Sequence, residues 1–129
     1  MVHVPIIRVA DTLIATVQDE LLDSDMLALQ EDLAATLERS GVGGVLIDLS
    51  AAATVDSFLG RLLSDIATGA RLMGANTVVV GIQPAVAISL VELGLDLKGV
   101  HTALNPERGL AWLLKMNDNR SGSNGRGQH

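Results

Sequence analysis

Gly44-Val45-Leu46-Ile47-Asp48-Leu49 (44–49) and Thr77-Val78-Val79-Val80-Gly81-Ile82 (77–82) are the stretches that decide the fold. Each is a short, β-branched apolar run, the first with one charge and the second with none, the pattern of a strand buried on both faces. Between them Leu59, Leu62, Leu63, Ile66, Ala70 and Met73 recur at i, i+3, i+4, i+7, i+11 and i+14, one face of a helix that Gly74 ends. Strand, helix and strand of this kind make a right-handed parallel crossover, which places both following loops at the carboxyl edge of the sheet. Open α/β sheets bind ligands and partners at that edge.

Outward from this unit, Val4–Val9 and Leu13–Val17 are apolar runs broken by Ala10-Asp11-Thr12, which predicts a β-hairpin. Asp19, Glu20, Asp23 and Asp25 lead into Leu22, Met26, Leu29, Leu33 and Leu37, a helix with acids at its start, Arg39 in its last turn and Gly41 as its stop. Pro84 opens a third helix to about Glu92, closed by Gly94, and Val100–Leu104 is a weaker strand. Asn105-Pro106-Glu107 reads as cap, first-turn proline and acid of a last helix to about Lys115. The fold expected is α/β, a mixed sheet with a parallel centre, about five strands and four helices. Asn117–His129 carries no apolar side chain to offset its ordering entropy, so a domain over 1–116 and a disordered polar tail over 117–129 are expected.

A chain of 129 residues, 48% hydrophobic and 19% charged, fills one core and lacks the signature of disorder. Aromatics at 2% exclude base-stacking platforms, and a net charge of −6 argues against a nucleic-acid partner. With no cysteine and three scattered histidines there is no thiolate site and no metal-ligand spacing, and no cofactor or metal is expected. No apolar run approaches the ~18 residues of a membrane span, and the start lacks the pattern of a signal peptide. A cytoplasmic protein without a membrane partner is the expectation.

Chemistry concentrates in Thr54-Val55-Asp56-Ser57-Phe58-Leu59, where Asp56 and Ser57 are both N-cap types at the start of the strongest helix. A helix N-terminus at the carboxyl edge tolerates an added phosphate, whose charge meets the dipole and free N–H groups, so Ser57 is a candidate phosphoacceptor beside an exposed Phe58. Other chemistries fit less well. Asp48 and Asp56 suggest a phospho-aspartate receiver, but that site needs an acidic pair for Mg²⁺ and a lysine on a distant strand, for which Lys98 is poorly placed. A serine hydrolase lacks its G-x-S-x-G elbow, and His101 reads as a structural or surface residue. Gly41-Val42-Gly43-Gly44 precedes a strand and lacks the Lys-Ser/Thr of a phosphate cradle, and Trp112 reads as packing. No enzymatic activity is expected.

Asp56-Ser57 after Ile47-Asp48-Leu49-Ser50, then Arg71-Leu72-Met73-Gly74-Ala75, Gly81-Ile82-Gln83-Pro84-Ala85-Val86-Ala87 and Glu92-Leu93-Gly94, together resemble a STAS domain of the anti-sigma-factor-antagonist superfamily, over about Ile6 to Leu114. Asp56-Ser57-Phe58 followed by Leu72-Met73-Gly74-Ala75 and Gly81-Ile82-Gln83-Pro84-Ala85-Val86-Ala87 is most similar to the single-domain stressosome scaffold type. Phe58-Leu59-Gly60 departs from the Ser/Gly-Leu-Gly that follows the acceptor serine in general antagonists. The resemblance implies a non-catalytic scaffold that holds a switch-type serine kinase until it is phosphorylated on Ser57, in the general stress sigma-factor pathway. It also implies assembly with itself and with STAS-domain sensor paralogues. Asp56, Ser57, Phe58, Gln83 and Pro84 become the expected partner surface, and Ser89 a possible second phosphosite that otherwise caps within the third helix. Two alternatives stay open: an antagonist binding an anti-sigma kinase, and a ligand-binding sensory module using the same edge crevice.

Overall fold

The computed structural model describes residues 4–19, 21–94, 97 and 99–126, with side chains as far as 119. Lys98 lies outside the described residues. The chain order is β1 (Ile6–Val9), β2 (Thr12–Thr16), α1 (Asp23–Ser40), β3 (Gly44–Asp48), α2 (Ser57–Leu72), β4 (Asn76–Val80), α3 (Pro84–Glu92), β5 (His101–Ala103) and α4 (Pro106–Arg126). Among the described residues five strands form one sheet in sequential order, β1 antiparallel to β2 and the rest parallel. This is the mixed α/β sheet with a parallel centre that the two apolar runs predict.

Local chemistry sets most boundaries. Ala10 takes a φ of +52° at the first turn position of the hairpin, the positive φ by which tight turns match strand twist. Asp25 Oδ2 accepts from the Leu22 N–H at 3.0 Å, half of a capping box at the start of α1. Gly41, at φ +66°, ends α1 by donating to the Leu37 carbonyl. Leu22, which the periodicity assigns to the core, is 69% exposed; it is the cap of α1, and Leu21 packs inward instead.

The sheet has two unequal faces. Met26, Leu29, Leu33 and Leu37 of α1 and Leu59, Leu62, Leu63 and Ile66 of α2 pack with Leu13, Ala15, Val45, Ile47 and Val79 into the larger core. On the other face Leu46, Val78 and Val80 meet Leu113, Leu110 and Trp112, all from α4. Gly109 brings α4 close: a Cβ there would stand 2.6 Å from Val80 Cγ1 and 3.1 Å from Leu46 Cδ1.

α4 does not end near Lys115 as its composition implied. Asn117, assigned by sequence to the tail, is half-buried, and its Nδ2 donates to Asp11 Oδ2 at 2.8 Å. The helical backbone continues to Arg126. The anchor is a polar contact with a turn 106 residues earlier, which an apolar count does not register.

Candidate functional site

The register of the parallel strands brings the β3–α2 and β4–α3 loops to the carboxyl edge, as the crossover predicts. The 49–56 loop is held from three sides. Leu49 donates to the Val80 carbonyl at 2.9 Å, and Ala52, 1% exposed, donates back to Leu49 at 2.9 Å and plugs the loop into the core. Asp19 Oδ1 accepts from the backbone N–H groups of Ala53 at 2.6 Å and Thr54 at 3.3 Å. Gln83 Nε2 donates to the Ser50 carbonyl at 2.8 Å, which fastens the β4–α3 loop to the β3–α2 loop.

Asp56 is the N-cap of α2: its backbone is extended at φ −112° and ψ 177°, and its Oδ1 accepts from the Leu59 N–H at 2.9 Å. Ser57 is therefore the first helical residue. Its side chain is exposed and, among the described residues, its hydroxyl has no hydrogen-bond partner. The N–H groups of Ser57 and Phe58, at the first two helical positions, have no carbonyl four residues back within the helix. Arg61 is exposed one turn further along, at the i+4 position that shares a face with Ser57. Phe58 is not the exposed ring the sequence suggested. It is half-buried and packs against the larger core, so it fixes the helix entry as well as flanking the serine.

The other sequence candidates take separate places in the fold. Gln83 is spent on Ser50, and Pro84, exposed, opens α3 at its first position. Ser89 Oγ donates to the Ala85 carbonyl one turn back at 3.0 Å, so its hydroxyl serves the helix. Asp48 Oδ1 accepts from both the N–H of Ser50 at 2.8 Å and its Oγ at 2.6 Å, which makes it a loop-forming residue. His101 stacks on Trp112, ring centroids 4.0 Å apart, on the far face of the sheet. Among the described residues no three acidic or histidine side chains gather as a metal site.

Asp19 and Arg61 are the residues the sequence did not single out. Asp19 reads as part of the acidic lead into α1, and its partners stand 34 and 35 residues away, so no local pattern reveals it. Arg61 is legible in principle, because a cation four residues after a candidate phosphoacceptor on a helix is a spacing the sequence displays.

A family model described as the STAS domain matches residues 3–107. The RsbS protein of Moorella thermoacetica, in a serine-to-glutamate variant, is 40% identical with a TM-score of 0.78, over 89% of this chain and 97% of that one. A chain from a structure of the stressosome, described as a signal integration and transduction hub, is also 40% identical, with a TM-score of 0.76 over 88% and 98% of the two chains. The RsbT co-antagonist protein RsbRA of Bacillus subtilis is 33% identical over 76 residues, and the chain spans only 28% of its length. Matched over most of its length by the family model, and along nearly all of a solved RsbS, the chain belongs to the STAS domain family.

Proposed function

We propose that this protein is a non-catalytic stressosome scaffold and phosphorylation switch. It sequesters a serine kinase at the carboxyl edge of its sheet and releases it once Ser57 is phosphorylated, in the general stress sigma-factor pathway. The observation that carries the reading is the exposed, unpartnered hydroxyl of Ser57 on the first residue of a helix capped by Asp56, in a chain so similar to RsbS. Asp56 and Phe58 flank it in sequence, Gln83 and Pro84 on the loop tied to Ser50 complete the partner surface, and STAS-domain sensor paralogues co-assemble with the scaffold in the cytoplasm.

The physical step is local. A phosphoserine adds about −1.5 to −2 charges. Within the chain these meet the helix dipole, the two open N–H groups and Arg61. A partner fitted to the neutral hydroxyl meets an unpaired charge instead. Against the ligand-binding alternative, the cavity beside this entry, lined by Asp19, Asp23, Met26 and Asp56, holds about 170 Å³, below the roughly 300–1,000 Å³ of small-molecule sites.

The test is incubation with the cognate kinase and ATP, followed by phosphopeptide mapping and calorimetric titration of Ser57→Asp and Ser57→Ala against the kinase. Modification on Ser57, weaker binding by Ser57→Asp and retained binding by Ser57→Ala support the switch. Modification confined to Ser89, or unchanged binding by Ser57→Asp, overturns it.

A further inference from the structure

Outside their last turns, α1, α2 and α3 carry a single basic residue between them, Arg61. Arg39 ends α1, Arg71 ends α2, and α3 has neither lysine nor arginine. Both last turns lie away from Ser57, since each helix runs back from the carboxyl edge to start the next parallel strand. Arg108 belongs to α4, on the far face of the sheet.

Arg61 is also free. Its side chain is exposed, and with the described residues it forms neither an ion pair nor a hydrogen bond. Acids stand on either side of it: Asp19, Asp23 and Asp56 line the cavity at the helix entry, and Asp65 lines a groove with Gln30 and Leu33 of α1. None of them holds it. Helical side chains lean toward the amino end, and residues four apart stand about 5–6 Å between Cβ atoms, so Arg61 leans back over Ser57. Asp65, four residues later, is in the less favourable order, acid after cation.

We infer that the kinase holds Arg61 through a carboxylate of its own, and that the phosphate on Ser57 releases the kinase by taking this cation back. The inference rests on the switch reading and names the chemistry by which that switch lets go. A guanidinium matches carboxylate and phosphate alike, with two parallel N–H bonds, and stays charged at any working pH. Before modification the partner supplies the anion. Afterwards a group of about −1.5 to −2 charges stands one turn away on the same helix, an intramolecular competitor that no dilution removes. The partner's carboxylate then loses its cation and faces a like charge where a hydroxyl stood, which acts on the off-rate.

Charge argues for that carboxylate. A partner without one would meet a phosphate partly neutralised by Arg61 and the helix dipole, a weaker cause for release. In a chain of net charge −6, a partner's acid approaching this edge meets Asp19, Asp23 and Asp56 wherever it does not meet Arg61. Arginine is also among the residue types that dominate binding energy at interfaces.

The two halves of the inference are tested apart. For the partner's half, unphosphorylated variants are titrated calorimetrically against the cognate kinase, with melting temperatures as the check on folding. Arg61→Gln is expected to bind about tenfold more weakly than the parent, and Arg61→Lys to recover part of that loss. Arg61→Glu, which sets an acid against the partner's own, is expected to bind more weakly than Arg61→Gln, and Arg71→Gln, at the other end of α2, to bind as the parent does. For the phosphate's half, the Arg61 side-chain Nε–H signal of the isotopically labelled parent is followed by NMR before and after phosphorylation. It is expected to shift and to exchange more slowly with water once Ser57 is modified, while that of Arg71 stays as it was. Folded Arg61→Gln binding within about twofold of the parent, Arg61→Glu binding as well as Arg61→Gln, an equal loss in Arg71→Gln, or an Arg61 signal indifferent to the phosphate overturns the inference. The failures are distinguishable. Ser57→Asp binding like the parent sinks the switch and this inference together, whereas a working switch with Arg61→Gln bound like the parent sinks this inference alone.

Discussion

Gln83 and Ser50, 33 residues apart, are joined by a hydrogen bond from the Gln83 side-chain amide to the Ser50 carbonyl, 2.8 Å long, which binds the two carboxyl-edge loops into one surface. Gln83→Ala removes that tie. Because the bond is solvent-exposed, the expected stability loss is at the low end of about 0.5–1.5 kcal/mol. The larger effect expected is weaker kinase binding by titration, since the two halves of the proposed partner surface then move independently. Unchanged binding would show that the loops need no mutual support.

Asp56 and Ser57 separate folding from switching. Asp56 accepts from Leu59 and is the cap. Asp56→Ala is therefore expected to cost about 1 kcal/mol, measured by urea unfolding. Ser57→Ala, at the next position with a free hydroxyl, should cost much less. Ser57→Asp adds an acid to a first turn that has none and should be neutral or stabilising by about 0.3–1 kcal/mol. A larger loss for Ser57→Ala than for Asp56→Ala would contradict the cap assignment.

Gly109→Ala tests the approach of α4 to the sheet. The added methyl would sit 2.6 Å from Val80 Cγ1, so helix or strand must shift. A loss of about 1–3 kcal/mol is expected, visible as a lower thermal midpoint. An unaltered midpoint would mean that the helix is free to rise from the sheet.

Thr77 is 2% exposed and its Oγ1 has no hydrogen-bond partner. A buried hydroxyl without a partner carries a desolvation penalty of about 1–3 kcal/mol. Thr77→Val keeps the branched shape and removes the penalty, so a higher denaturation midpoint is expected; a lower one would reveal a partner for the hydroxyl.

Chain shortening locates the end of the folded unit. Ending the chain after Met116 removes Asn117 and its bond to Asp11, and is expected to lower the melting temperature by a few degrees. Ending after Asn119 keeps that bond and is expected to melt close to the parent. Equal melting of the two would return Asn117 to a dispensable tail.

What was legible in the sequence followed local rules. The bounds of α3 coincide with the reading because Pro84 and Gly94 are punctuation that acts on its own backbone. The β3 and β4 runs are recognisable because both faces of each strand are buried, which leaves no polar alternation to confuse them. The misses depend on contacts across the chain. Asp19 holds the loop before Ser57 from 34 residues away, Asn117 holds a turn 106 residues earlier, and Phe58 is covered by a core that neighbouring residues do not announce. At the site, residue types alone left Asp56 and Ser57 equal as caps; the bond to Leu59 decides between them.

The sequential order of the five strands has a consequence for how the protein is made. Each strand pairs with one already synthesised, so the sheet can grow from the amino terminus in step with the ribosome, without waiting for a distant segment. The α4 helix emerges after all five of these strands, and until it docks, Leu46, Val78 and Val80 lie uncovered on one side of the assembled sheet. The seating of Gly109 against Val80 is the event that ends that interval.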